Sequence, residues 1–224
     1  MSIQLTTNEV RVLGCLMEKS VITPDQYPLT LNALTNACNQ KSSREPVMSL
    51  EPGTVKATIR SLQDKHLVRV EENFRTQVEK YTQRLCNTPF SDYQFDPPQF
   101  AIVCVLLLRG PRTPGELRAN SGRLHTFSDN NAVLAALEEL AQREGGPVVA
   151  ELPVQPGRRD AQWIQLFSGA VPAIARPAAA TRVQTREAPP PTAESAARVT
   201  ELEARIEKLE AEITRLRGLL ENDT

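Results

Sequence analysis

Apolar residues recur at three- and four-residue spacing through Val10, Leu13, Leu16 and Met17, which predicts an amphipathic helix running to about Lys19. Thr6-x-x-Glu9 stands at its start as a capping box. Pro24 and Pro28 interrupt the pattern, and it resumes over about 29–40 with Leu31, Leu34, Ala37 and Cys38 on one stripe. A polar run, "NACNQKSSREPV" (36–47), ends this second helix. A third begins near Pro52, turns Val55, Ile59 and Leu62 inward and stops around His66. Over 67–84 the period changes to two, predicting a β-hairpin with its turn near Asn73.

The same order then repeats. Residues 97–110 read as a helix, and Thr113-Pro114-x-Glu116 places a cap, a first-turn proline and a third-position carboxylate in register for the next. Ser128 is the expected cap of another helix, which carries Val133, Leu134, Leu137 and Leu140. Residues 147–167 close the unit as strand, turn and strand. Three helices and a hairpin, twice, predict a mainly α fold with small β-hairpins (α+β). The expected form is two tandem winged-helix domains, 1–92 and 93–170.

Beyond them, residues 171–196 are rich in Pro and Ala and predict a flexible linker. Residues 197–222 predict a coiled-coil helix. Val199, Ile206 and Ile213 fall at a positions and Leu202, Leu209 and Leu216 at d, with Leu220 continuing the stripe. That arrangement favours a parallel dimer in which Arg205 faces Glu210 and Glu212 faces Arg217. The other reading is one amphipathic helix folded back on its own domain.

Composition narrows the function. With 24% charged and 40% hydrophobic residues in 224, the chain falls in the range of ordinary globular proteins. The longest apolar run, 100–108, is too short for a membrane span, and the first ten residues lack signal-peptide character, so a cytoplasmic location is expected. Net charge is −1, so any anionic partner must be met by local patches. The four cysteines lack metal-ligand spacing and are expected as thiols, while two histidines make a zinc site poor chemistry. No phosphate-binding loop, dinucleotide fingerprint, nucleophile elbow or zinc-protease motif occurs, so neither enzymatic activity nor a cofactor is expected.

The candidate chemistry is recognition of a polyanion. With Val55, Ile59 and Leu62 inward, Lys56, Arg60 and Gln63 share the outer face of the third helix, the element that enters the major groove in winged-helix proteins. Lys41 and Arg44 precede that helix and Arg75 lies at the hairpin turn, where they are candidates for phosphate contacts. The alternative is a solvated helix face, with Arg44 paired to a carboxylate such as Glu45 or Glu51. In the second unit the equivalent helix presents Glu138 and Glu139, which phosphates would repel, so that unit reads as a partner-binding or architectural copy. Trp163 and Phe167 read as packing residues.

Four strings, "QYPLTLNALTNACNQKSSREPVM", "KYTQRLCN", "LLLRGPRTPGELR" and "PGRRDAQWIQLFSG", occur in this order. Through about residues 4–169 the chain resembles the YceH-like family of bacterial proteins. The resemblance implies a tandem winged-helix fold and a C-terminal helical segment, and implies no particular activity. Two functional classes fit. One is a dimeric DNA-binding protein of the transcription-regulator type, taking double-stranded DNA through Lys41, Arg44, Lys56, Arg60, Gln63 and Arg75. The other is an adaptor that uses the same modules, chiefly the second, to bind a protein partner.

Overall fold

The computed structural model describes residues 3–72, 78–89, 91–155 and 157–169, all within one compact unit, Met1–Pro177. The fold is mixed α+β. Among the described residues six helices enclose a single apolar core, and two small antiparallel sheets flank it. The linker at 171–196 and the heptad residues Val199, Leu202, Ile206, Leu209, Ile213, Leu216 and Leu220 lie outside the described residues, as does the hairpin turn with Arg75.

Helix α1 (Thr7–Ile22) opens on the expected capping box: the Glu9 backbone N–H donates to Thr6, and the Thr6 N–H donates back to the Glu9 carboxylate at 2.7 Å. The stripe Val10, Leu13, Leu16, Met17 predicted one buried face. Instead every residue from Glu9 to Met17, and Glu18 after it, is buried. The reason is tertiary. Helices α2 (Leu31–Cys38) and α3 (Pro52–Asp64) cover one side of α1, and α4 (Pro97–Arg109) from the second half covers another. Helix α4 is itself apolar all round and buried from Phe100 to Leu108, the pattern of a core helix.

Burying α1 forces its charged residues to find partners. The Glu9 carboxylate, buried among helices, accepts from Lys65 at 2.8 Å and from the Ser61 hydroxyl at 2.8 Å, so the same side chain caps α1 and ties it to α3. Arg11 donates to the carbonyls of Cys38 (3.1 Å) and Pro46 (2.7 Å). Glu18 takes Arg44.

The first sheet has a strand that the period-two pattern did not announce. Leu29–Thr30 form β1, which pairs with β3 (Glu79–Gln83), and β3 pairs in turn with β2 (Val68–Glu72), giving the order β1-β3-β2. Two residues cannot show an alternation. Their strand also moves the start of α2 from 29 to 31, where the Thr30 side chain caps it. Tyr81 on the central strand, opposite Leu29 and Val70, is fully buried.

The second half repeats this plan. Helix α5 (Pro114–Ser121) has the expected Thr113–Glu116 capping box. Helix α6 (Asn130–Ala141) starts one residue later than predicted: Asp129, rather than Ser128, is its N-cap, its carboxylate accepting the Ala132 N–H at 2.8 Å. Strands β4 (Val149–Glu151) and β5 (Trp163–Gln165) pair antiparallel. Arg112 exchanges two backbone hydrogen bonds with Trp163, so the residue before the α5 cap does for β5 what β1 does for β3. Trp163 and Phe167 are buried, the latter edge-on to Tyr93. The Leu5 N–H donates to the Phe167 carbonyl at 2.7 Å, which closes the chain's start onto its second half.

Candidate functional site

Helix α3 is held by Val55, Ile59 and Leu62 against the core, with Thr58 also buried. A Pro at its first turn replaces an N–H that would have no partner there. That anchoring sets which side chains face outward. Lys56, Arg60 and Gln63 come together along a cleft of about 160 Å³ between α3 and the hairpin, whose other lining residues include Val70, Glu79 and Tyr81. The sequence placed the three α3 residues on one face. It gave no sign of Glu79 and Tyr81, which arrive from a strand.

The electrostatics of the cleft are permissive for an anion. Lys56 Nζ lies 3.9 Å from Glu79, with both side chains more than two-fifths exposed, so the pair contributes at most about 1 kcal/mol and releases Lys56 easily. The Tyr81 hydroxyl donates to the same carboxylate at 2.7 Å. Burial raises the Tyr81 pKa and Glu79 adds to this, while Arg60 opposes it; the phenol therefore stays a donor. Arg60 is exposed, and two cations face one partly neutralised carboxylate.

Of the other proposed contacts, Lys41 is exposed on the loop before α3. Arg44 is not: its side chain has no exposed surface. Its guanidinium donates to both Glu18 oxygens at 3.0 and 2.6 Å, to the Ala37 carbonyl at 3.0 Å and to Gln40 at 3.0 Å. A phosphate cannot reach it in this arrangement, and it leaves the set of outward cations. The carboxylate partner is Glu18 of α1, rather than Glu45 or Glu51. Burial would raise the Glu18 pKa, but the hydrogen bonds and charge of Arg44, with Lys19, hold it below the usual carboxylate value.

Two further polar residues of the run are occupied as well. Asn39 brackets Leu50, accepting its N–H at 2.7 Å and donating to its carbonyl at 2.9 Å, which fixes the chain just ahead of α3. The Glu45 N–H donates to the Leu108 carbonyl at 2.9 Å, and the Glu45 carboxylate pairs with Arg112. The stretch thus joins α1, α2, α4 and the approach to α3.

In the second half Glu138 and Glu139 are exposed on α6, and Gln99 donates to Glu139 at 2.9 Å. A larger cavity of about 910 Å³ lies elsewhere, lined by apolar groups including Val21, Tyr27, Phe95, Phe100 and Leu124. Polar side chains on its wall such as Ser20, Gln83 and Asn87 are hydrogen-bonded within the protein. Among the described residues no group of His, Cys, Asp and Glu is placed to hold a metal, and no helix is long and apolar enough to cross a membrane.

The chain is similar in sequence to known bacterial proteins. The family model described as "Protein of unknown function, DUF480" matches residues 5–158, which take in both repeats as far as the end of β4 and the loop beyond. A UPF0502 protein of Shewanella woodyi is 54% identical over 185 residues, covering 83% of this chain and 84% of its own length. UPF0502 proteins of Photobacterium profundum (50% identical, 83% of each chain) and Enterobacter sp. (51%, with 76% of this chain and 79% of the relative) are similar in the same way.

Proposed function

We propose that this chain, which belongs to the DUF480 family and so to the bacterial UPF0502 proteins, is a cytoplasmic, non-enzymatic DNA-binding protein of the transcription-regulator type. In this reading each half is a winged-helix module. Three helices carry a small sheet whose hairpin is the wing, and the C-terminal heptads join two chains as a coiled coil. Helix α3 enters the major groove. Arg60 and Gln63 meet base edges, while Lys56 and Lys41 meet phosphates, with Arg75 a further phosphate contact from the hairpin turn.

The observation that carries the reading is the convergence of Lys56, Arg60 and Gln63 on one exposed cleft beside the wing, where, among the described residues, Lys56 is held by a long, exposed ion pair. Fluorescence anisotropy with labelled genomic duplexes tests it. Affinity should fall steeply with salt, and Lys56→Ala should lower the logarithmic salt slope by about 0.9 for each phosphate the side chain no longer neutralises. Arg60→Ala should flatten the preference among sequences by about 1–3 kcal/mol at the base it reads. If duplexes do not bind even at low salt, the reading fails.

The second reading, a protein–protein adaptor, draws on the acidic outer face of α6 and the apolar 910 Å³ cavity. It predicts the opposite result: no duplex binding, and co-purification at equal stoichiometry with a partner that Glu138→Lys with Glu139→Lys abolishes.

A further inference from the structure

A carboxylate stands among the donors of the α3 cleft. The side chains of Lys56 and Arg60 only donate hydrogen bonds and that of Gln63 does both, whereas Glu79, arriving from β3, only accepts. A strand that approaches a polyanion gains nothing from a negative charge, which phosphate repels. Stability does not account for it either. The Lys56–Glu79 pair is 3.9 Å long and its side chains are 45% and 42% exposed, the kind of ion pair that contributes little to folding. Yet the carboxylate is held in place, because the hydroxyl of the fully buried Tyr81 donates to it at 2.7 Å. Both contacts fall on Oε2. Among the described residues no group donates to Oε1, so one oxygen of a fixed carboxylate is left to accept from a ligand in the cleft.

We propose that Glu79 is the specificity-determining residue of this cleft, accepting the amino group of a cytosine in the major groove of duplex DNA. The inference rests on the duplex-binding reading above and names the base that the site selects. On its major-groove edge cytosine presents an N4 amino donor and no acceptor. Guanine and thymine present acceptors there, and adenine sets an N7 acceptor beside its N6 donor. A carboxylate therefore matches cytosine best. Arg60, which lines the same cleft, is complementary in the other sense, since a guanidinium spans guanine O6 and N7. A donor and an acceptor side by side match the two bases of a G·C pair, or of neighbouring pairs.

In the free protein Glu79 neutralises Lys56 and keeps stray phosphate out of the cleft. At a matching site Lys56 turns to a phosphate and the cytosine amino group takes its place on Glu79, so neither charge is left unpaired. At guanine or thymine the carboxylate meets acceptors, a repulsive element against the wrong sequence. Tyr81 acts through Glu79 as a positioning residue. Its hydroxyl holds the carboxylate in one orientation before DNA arrives, so the complex has less ordering left to supply.

The experiment is a selection of bound duplexes from a randomised pool, run with the full-length wild type, Glu79→Met, Glu79→Gln and Tyr81→Phe, then fluorescence anisotropy on the enriched duplexes. The wild type should enrich sites with one position at which cytosine is preferred at least about fivefold. Glu79→Met should bind unselected duplexes more tightly, with a logarithmic salt slope steeper by about 0.9 as Lys56 gains a phosphate. It should also make the four bases equivalent at that position. Glu79→Gln should move the preference to adenine, whose N6 and N7 an amide matches. Tyr81→Phe should keep the wild-type salt slope, because the charge remains, yet lose most of the cytosine preference. Should Tyr81→Phe fail to fold, the two Glu79 variants, made at a half-exposed side chain, still decide. A Glu79 that serves only as counter-ion to Lys56 gives a different result: both Glu79 variants bind every duplex more tightly and the ranking of bases does not change. That result, or a wild-type site without the cytosine position, overturns the proposal and leaves duplex binding standing. Absence of wild-type binding at low salt overturns the duplex reading itself, and this inference with it.

Discussion

Gly14→Val is expected to lower the stability of this protein by about 3 kcal/mol, the upper part of the range for an overpacked core. Gly14 sits mid-helix in α1, where glycine costs about 1 kcal/mol relative to alanine, so its presence there needs a reason. Helix α4 supplies it. A Cβ at residue 14 would stand 2.8 Å from Leu108 Cδ2, 3.0 Å from Leu108 Cγ and 3.1 Å from Leu107 Cβ. The Leu108 side-chain tip could turn aside, but the Leu107 Cβ is fixed to the α4 backbone, so the helices must separate. Separation is expensive because α1 and α4 are the central helices of a core shared by both halves. Urea unfolding should show a lowered midpoint at unchanged slope. Gly53→Ala is the contrast: nothing lies within 4 Å of its added Cβ, and it should stabilise α3 by about 0.4–1 kcal/mol. Equal effects at the two glycines would remove the close-approach explanation.

Arg44→Met is expected to cost about 3–5 kcal/mol, as removal of one member of a buried ion pair does. Among the described residues the substitution leaves Glu18 with Lys19, at 3.0 Å, and removes the Arg44 donor to the Ala37 carbonyl. Replacing both partners, Arg44→Met with Glu18→Leu, should cost less than Arg44→Met alone, since no charge then remains unpaired. The pH dependence carries a sign. In the wild type the Glu18 pKa is depressed below its unfolded value of about 4.3, so its contribution is complete above that value and is lost as pH falls through the lower folded one. In Arg44→Met burial is left to push the carboxyl up, and the penalty is relieved as pH falls and the group is protonated. The gap between wild type and variant should therefore narrow from about pH 7 to about pH 4.5. A gap that stays constant over that range would mean that Arg44 acts through packing alone.

Local order was legible in this chain wherever one short segment contains both halves of an interaction. Thr6 with Glu9 and Thr113 with Glu116 are three residues apart, and their capping boxes formed as read. The stripe of α3 fixed the outward set Lys56, Arg60 and Gln63 for the same reason: three- and four-residue spacing is a property of the helix itself. Where two neighbouring residues offered the same chemistry, as Ser128 and Asp129 do, the pattern could not choose between them. The structure caps α6 with Asp129. A two-residue strand such as β1 has no period to detect, and only its partner β3 reveals it.

Binary pattern, caps and turn residues by themselves determined the order of helices and hairpins, their repetition and the cationic face of α3, because each depends on neighbours within about one turn. Tertiary structure alone decided which polar groups are internal. Glu9, Arg11 and Glu18 look like the solvated side of an amphipathic helix until α3, the 41–47 loop and α4 close over them. Their partners Lys65, Pro46 and Arg44 lie 56, 35 and 26 residues away. For the same reason Asn39, Arg44 and Glu45 of the polar run join elements, while Lys41, Ser42 and Ser43 stay exposed. A buried charge is tolerated only where a partner is brought to it, and the partner's identity is a property of the packing.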